Sequence, residues 1–242
     1  YGVVAGLFKG LTWPVMQRLT PTQNMQLGMM SGVCSKLVNY PLLTAKNMSQ
    51  QGLPIPLNPK IAYRGLPMAV LNLSGTTGVQ FWFTGFFGGL LAADGKALTS
   101  SQEMQAAFLG GLASGIPSTV WELTMIQQQR FGGSLFGTPP RIAQTYGSSS
   151  LLRGLTTCSG REAVFTMGML GICPVLQRQL ITTYNLPEDV AGGAGALAAS
   201  IFSATLTHPL DTIKTCMQGD LGREKYGNVM GTGRALVAEY GV

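Results

Sequence analysis

Charge is scarce in this sequence: 11% of its 242 residues are Asp, Glu, Lys or Arg, against about a quarter in an ordinary soluble domain. So little charge cannot cover a solvated globule of this length, and the chain reads as membrane-embedded. Histidine is scarcer still. His208 stands alone, which removes most general-base and metal-ligand constellations, and its place before Pro209 reads as packed or interfacial. The four cysteines, Cys34, Cys158, Cys173 and Cys216, have neither paired nor metal-like spacing, so they read as gap-fillers. No nucleophile, metal or phosphate-loop constellation appears. The sequence therefore indicates no enzyme and no cofactor. The net charge of +6 is spread over loops without a clustered patch, which argues against nucleic acid as a partner.

What is abundant is apolar: 45% hydrophobic residues and 33 glycines. Leu66 to Ala93 holds no charge for 28 residues and Met104 to Trp121 none for 18, near or above the roughly 20 needed to cross a bilayer. Both read as spanning helices. The connectors 51–64, 130–153 and 219–242 carry eight Lys and Arg, whereas 93–101 and 183–189 carry only Lys96. The basic connectors mark the retained side of the membrane.

One pattern recurs. Pro209-Leu-Asp211-Thr-Ile-Lys214 is followed by Gln218, nine residues after the proline. Pro41-Leu-Leu43-Thr-Ala-Lys46 is followed at the same distance by Gln50. A third, worn copy runs Val120-Trp-Glu122-Leu-Thr-Met125 and reaches Gln129. Arg64-Gly65 and Arg153-Gly154 check the register, because Val120 and Pro209 each lie 55 residues after those glycines. Prolines at 41 and 209 are expected to kink their helices. Charges beside such apolar runs are costly unless paired or facing a wet cavity.

At these residues the chain resembles the mitochondrial carrier family, whose signature is Pro-x-(Asp/Glu)-x-x-(Lys/Arg) followed by a surface helix and a basic-Gly landmark. The copy at Pro209 matches fully. The resemblance covers about residues 24–242. It implies an all-α membrane protein, a three-fold pseudo-symmetric bundle of kinked transmembrane helices with short surface helices on the matrix side. Residues 1–20 are then an N-terminal extension, 21–92 the first repeat, 93–183 the second and 184–242 an incomplete third, the given sequence ending before a sixth helix. The Lys9-Gly10 pair in the extension looks like the landmark that opens an even-numbered helix. The long helices are expected at about 21–50, 66–92, 101–129, 155–183 and 186–218, with a surface helix over 228–240. Thr20, a Ser100–Glu103 capping box and Asn185 are their expected starts. Gly28 and Gly32, with Ala107 and Gly111 and with Ala196 and Ser200, are expected to permit close helix approach.

The resemblance also implies a gate of ion pairs on the matrix side: Asp211 with Lys46 and Glu122 with Lys214. The third pair would be Leu43 with Met125, apolar on both sides, so no orphaned ion remains; the alternative is that these charges simply reach for the interface. Gln50, Gln129 and Gln218 hold the places of the family's glutamine brace. Asn72, Arg161, Glu162 and Lys36 fall at substrate-contact positions, and the Arg161–Glu162 pair suggests a small anionic or zwitterionic solute such as an amino acid. Alternatively, those two residues satisfy structural neighbours. The family's far-side charged network is missing, with Thr84-Gly85 and Cys173-Pro174 at its places. The function expected is solute transport across the mitochondrial inner membrane by alternating access, in a multi-pass protein bathed in inner-membrane lipids, cardiolipin among them. From another class, the chain would be a carrier-fold accessory subunit of a large inner-membrane complex, with other protein subunits as partners.

Overall fold

The computed structural model describes residues 21–92 and 98–240, the side chains of 21–32 and 240 excepted. The expectations for residues 1–20 with Thr20, for Gly28 and Gly32, and for Lys96 lie outside what is described. In chain order come α1 (Pro21–Gln50), α2 (Pro59–Ala62), α3 (Leu66–Leu91), α4 (Ser100–Phe131) and α5 (Thr138–Tyr146). A 3-10 turn, Ser148–Leu152, leads into α6 (Leu155–Thr166), a π-helical turn (Met167–Ile172), α7 (Cys173–Tyr184), α8 (Glu188–Gly219) and α9 (Val229–Tyr240). No strand occurs among the described residues. A long helix, a short helix and a returning long helix come twice, and a third long helix with its short partner follows. By length and hydropathy, Ser148–Tyr184 and Glu188–Gly219 are apolar enough to cross a membrane.

The landmarks owe their glycines to backbone geometry. Gly65 and Gly154 cap the N-termini of α3 and α6 with φ of 83° and 79°, a left-handed conformation that costs any residue with a Cβ. At Gly65 space is closed as well: a Cβ would stand 2.8 Å from Tyr40 Oη and 3.1 Å from the Met125 carbonyl. The arginine beside each glycine has its own work. Arg153 is buried, its Nε donates to Met217 O at 2.6 Å and its Nη2 donates to Tyr226 O, so it fastens α6 to the end of α8.

Two expected helix starts fall elsewhere. The capping box on α4 is Thr99 with Gln102, not Ser100 with Glu103: Thr99 Oγ1 accepts from the Gln102 N–H and Gln102 Oε1 accepts from the Thr99 N–H at 2.9 Å. Gln102 also donates to Leu91 O at 3.0 Å, closing the end of α3. A glutamate has no N–H for that bond. Asn185 does not start α8 but ends α7 in the left-handed region, φ 51°. Leu186 precedes a proline and is pushed away from helical backbone, so α8 begins after Pro187.

Both predicted kink prolines lie inside helices that continue past them. Pro41 has no N–H to give Leu37, and the freed Leu37 carbonyl accepts from Tyr63 Oη at 3.2 Å. The expected helix over 155–183 is interrupted by the π-helical turn, where Cys173 N–H bonds back five residues to Gly168 O. Pro174 follows at once; without a donor of its own it cannot hold a regular turn there. α4 is buried from Glu122 to Gln129 and occupies the middle of the bundle. At Gly111 it lies against the backbone of Glu162 and Ala163, where a Cβ would collide. Ala196 and Ser200 instead face a cavity, and close packing on α8 falls at Gly195, where a Cβ would stand 3.0 Å from Cys173 O.

Candidate functional site

The repeated motif lies where the ends of α1, α4 and α8 come together, and each pair of ends meets differently. Between α1 and α8, Lys46 Nζ and Asp211 Oδ2 form an ion pair, and Gln50 Nε2 donates to Thr212 Oγ1 at 3.1 Å. Between α4 and α8, Lys214 Nζ lies 2.7 Å from Glu122 Oε2. Below it Gln127 Nε2 donates to Gln218 O at 2.7 Å and Arg130 Nη1 to Gly219 O at 2.5 Å. Between α1 and α4 there is no ion pair among the described residues. Leu43 packs there on the apolar cluster of Tyr40, Met68, Ala69, Met125 and Ile126.

The charges form one chain rather than separate pairs. Lys214 Nζ also donates to Asp211 Oδ1 at 2.9 Å. Glu122 Oε1 accepts from Arg161 Nη2 at 2.6 Å, and the same nitrogen pairs with Glu162. Lys46, Asp211, Lys214, Glu122, Arg161 and Glu162 thus alternate in sign across α1, α8, α4 and α6, with no net charge. Burial makes the links unequal. The Lys214 side chain is 4% exposed and that of Lys46 is 46% exposed. Losing one partner of a buried pair costs about 3–5 kcal/mol because the other is stranded, whereas an exposed pair contributes about 1 kcal/mol or less. The inner pair holds the structure, and the outer pair is the looser link.

Of the three glutamines, Gln129 makes the fullest set of bonds. Its Nε2 donates to Tyr40 Oη at 3.1 Å and Thr44 Oγ1 at 3.2 Å, and its Oε1 accepts from Asn47 Nδ2 at 2.9 Å. It thus ties α4 to α1 on the face that lacks an ion pair. Gln218 Nε2 donates to Arg153 O at 3.3 Å and Thr119 O at 3.5 Å. The Oε1 atoms of Gln50 and Gln218 are buried without a hydrogen-bond partner.

Of the predicted contact residues, Arg161 lines a cavity of about 460 Å³ between the α6–α7 segment and α8, beside Lys46, His208 and Asp211. The other three are elsewhere. Glu162 is buried toward α3 and α4, where Gln80 Nε2 donates to it at 2.8 Å and Ser118 Oγ at 3.0 Å. Asn72 Oδ1 accepts from Thr76 Oγ1 at 2.9 Å and Ser118 Oγ at 3.4 Å. Lys36 is half-buried, within electrostatic reach of Glu122, Arg161 and Lys46. The apolar wall of the cavity comes from Phe165, Met169, Ala199 and Ala204. On the opposite side of the bundle, where Thr84 and Cys173 replace the expected charges, Arg178 of α7 pairs with Glu103 of α4.

Sequence reasoning missed Gln80 and Ser118, because polar residues outside the repeated motif have nothing to mark them, and it gave no partner to Thr212, which stands inside the motif and recurs as Thr44. It also missed that Arg161 belongs to the charge chain. A cluster of Glu122, Cys158 and Glu162 has ligand atoms close enough to hold a cation, but Arg161 and Lys214 already neutralise it.

The family model described as "Mitochondrial carrier protein" matches residues 188–242. A probable mitochondrial 2-oxoglutarate/malate carrier protein of Dictyostelium discoideum is 24% identical over 229 residues, covering 81% of this chain and 72% of its own.

Proposed function

The chain is a member of the mitochondrial carrier family, and from that premise we propose that it moves a small solute across the mitochondrial inner membrane by alternating access. The observation that carries the reading is the chain of six alternating charges joining α1, α4, α6 and α8 below an open cavity. In this conformation the cavity floor is closed on the side of the basic connectors, which is the matrix side by their charge. A solute that binds better when the chain is broken shifts the balance toward the opposite opening. No covalent step is required. The protein crosses the membrane several times, with Pro59–Ala62, Thr138–Tyr146 and Val229–Tyr240 lying on the matrix surface.

In this mechanism Lys214 with Glu122 and Lys46 with Asp211 are the gate, Leu43 with Met125 an apolar third contact, and Gln50, Gln129 and Gln218 the brace. Pro41 and Pro209 are the places where the closing helices change direction.

The test is to lock the gate without touching its charges. Gln50→Cys with Thr212→Cys places two thiols where Gln50 and Thr212 now hydrogen-bond across α1 and α8. A short, reducible thiol crosslinker should stop exchange in proteoliposomes, and reductant should restore it. Undiminished exchange by the crosslinked protein would show that this face never opens.

A further inference from the structure

Resting on the transport reading, we propose that the solute is a small monoanion, a monocarboxylate with an apolar body, and that it binds Arg161 in competition with the acids of the gate. Among the described residues, the charged groups on the cavity wall are Lys46, Arg161 and Asp211, which leaves one positive charge in excess. Widening the count to Lys36, Lys214, Glu122 and Glu162 gives four cations against three carboxylates, the same excess. One anionic group is balanced by it. A second carboxylate, as on a dicarboxylate, enters a poorly solvated place without a counter-ion, where an unpaired charge costs several kcal/mol.

An amino acid fits no better, because its ammonium needs a free acid. Asp211 already holds Lys46 and Lys214. Glu162 faces away from the cavity and accepts from Gln80, Ser118 and Arg161. Glu122 accepts from Arg161, Lys214 and the Cys158 thiol. All three carboxylates are spoken for. The rest of the wall sets Phe165, Met169 and Ala204 beside Ser203, Thr207 and His208, and its apolar part suits a hydrocarbon body.

Arg161 is the group with capacity to spare. Its bonds to Glu122 and Glu162 both leave from Nη2. Its Nε is buried without a hydrogen-bond partner, 3.8 Å from the nearest carboxylate oxygen, Asp211 Oδ1. A planar guanidinium takes a carboxylate with two parallel N–H bonds. A solute carboxylate that claims Nε together with Nη2 takes the donor that Glu122 now uses. Glu122 then keeps only Lys214 and the Cys158 thiol, and the ion pair between α4 and α6 is broken. Arg161 thereby couples occupancy of the cavity to the gate, and a solute without a carboxylate has no means of opening it.

The experiment uses the full-length protein in liposomes loaded with 2-oxoisocaproate, a monocarboxylate with a branched apolar body. Influx of labelled 2-oxoisocaproate, malate and leucine is compared. The expected result is exchange of 2-oxoisocaproate about tenfold or more faster than of malate or leucine, equivalent to a preference of about 1.4 kcal/mol. Arg161→Lys keeps the charge beside Glu122 and loses the fork; it should raise the KM for 2-oxoisocaproate about tenfold while thermal stability in detergent stays near that of the unaltered protein. Faster malate or leucine exchange overturns the monoanion and leaves transport standing. An unchanged KM in Arg161→Lys overturns the role of Arg161. No exchange of any of the three overturns the proposal and the transport reading together.

Discussion

Gly65 and Gly154 show how one residue can be fixed by two separate constraints. Both need a left-handed backbone, but only at Gly65 would a Cβ also meet the Tyr40 hydroxyl and the Met125 carbonyl within contact distance. Gly65→Ala should therefore lose more than the ~1–2 kcal/mol of a left-handed alanine, and Gly154→Ala about that amount. Gly227, with open space around it, should tolerate alanine with almost no shift, and thermal unfolding in detergent ranks the three. Equal losses at 65 and 154 would mean that the backbone alone sets the requirement. Asp220 is a second single-residue device, outside the apolar spans. Partial burial works against its charged form, yet the backbone N–H groups of Tyr226, Lys225 and Glu224 donate to its carboxylate and hold its pKa below the ordinary Asp value. A depressed folded-state pKa stabilises the loop above the unfolded value of about 3.9 and loses that stabilisation as pH falls through the lower folded value. Amides 224–226 should thus stay protected from hydrogen exchange at pH 5 and open in more acid solution. Asp220→Ala should open them at neutral pH, and unaltered protection in that variant would dismiss the carboxylate as the cause.

At the scale of elements, the three contacts among α1, α4 and α8 are unequal. Two carry ion pairs, and the third sets Leu43 against the cluster that contains Met125. Leu43→Asp alone or Met125→Lys alone places an uncompensated ion in an apolar cluster, a loss of several kcal/mol. The double variant should recover most of that loss and slow exchange, because a third pair must then break. A double variant no more stable than the worse single would show that the two positions do not face each other. These elements were legible in the sequence to different depths. The spacing of Pro41, Val120 and Pro209 placed α1, α4 and α8 within two residues at each described boundary, because repeated motifs and apolar runs both report on them. Their caps were less legible. Thr99, Ser100 and Ser101 are all competent to cap, and the choice rests on the bond from Gln102 to Leu91 O on another helix. The π-helical turn before Pro174 left no period of its own to read. In the charged site, residue types and partners across repeats were readable; the link through Arg161 was not, since it depends on how deep α6 sits against α4.

For the whole molecule the governing asymmetry is that one end of the bundle is tied and the cavity above it is open. α1, α4 and α8 converge on the charge chain near the basic connectors, while Ser200 on α8 lines the cavity and is exposed. Ser134 lies in the connector between α4 and α5, exposed on the tied side. A cysteine introduced at either site, in a background with Cys34 and the cavity-lining Cys173 replaced by serine, reports which compartment it faces. In mitochondria stripped of their outer membrane, Ser200→Cys should react with a membrane-impermeant maleimide from outside. Ser134→Cys should react only after the inner membrane is permeabilised. Reaction of Ser134→Cys in intact mitoplasts would reverse the orientation inferred from the basic connectors. Solute then separates a working carrier from a chain held static inside a larger complex. A carrier that cycles spends part of its time with the cavity turned to the matrix, so adding transported solute should slow labelling of Ser200→Cys. A structural subunit has one conformation to offer, and its labelling rate should be the same with solute or without.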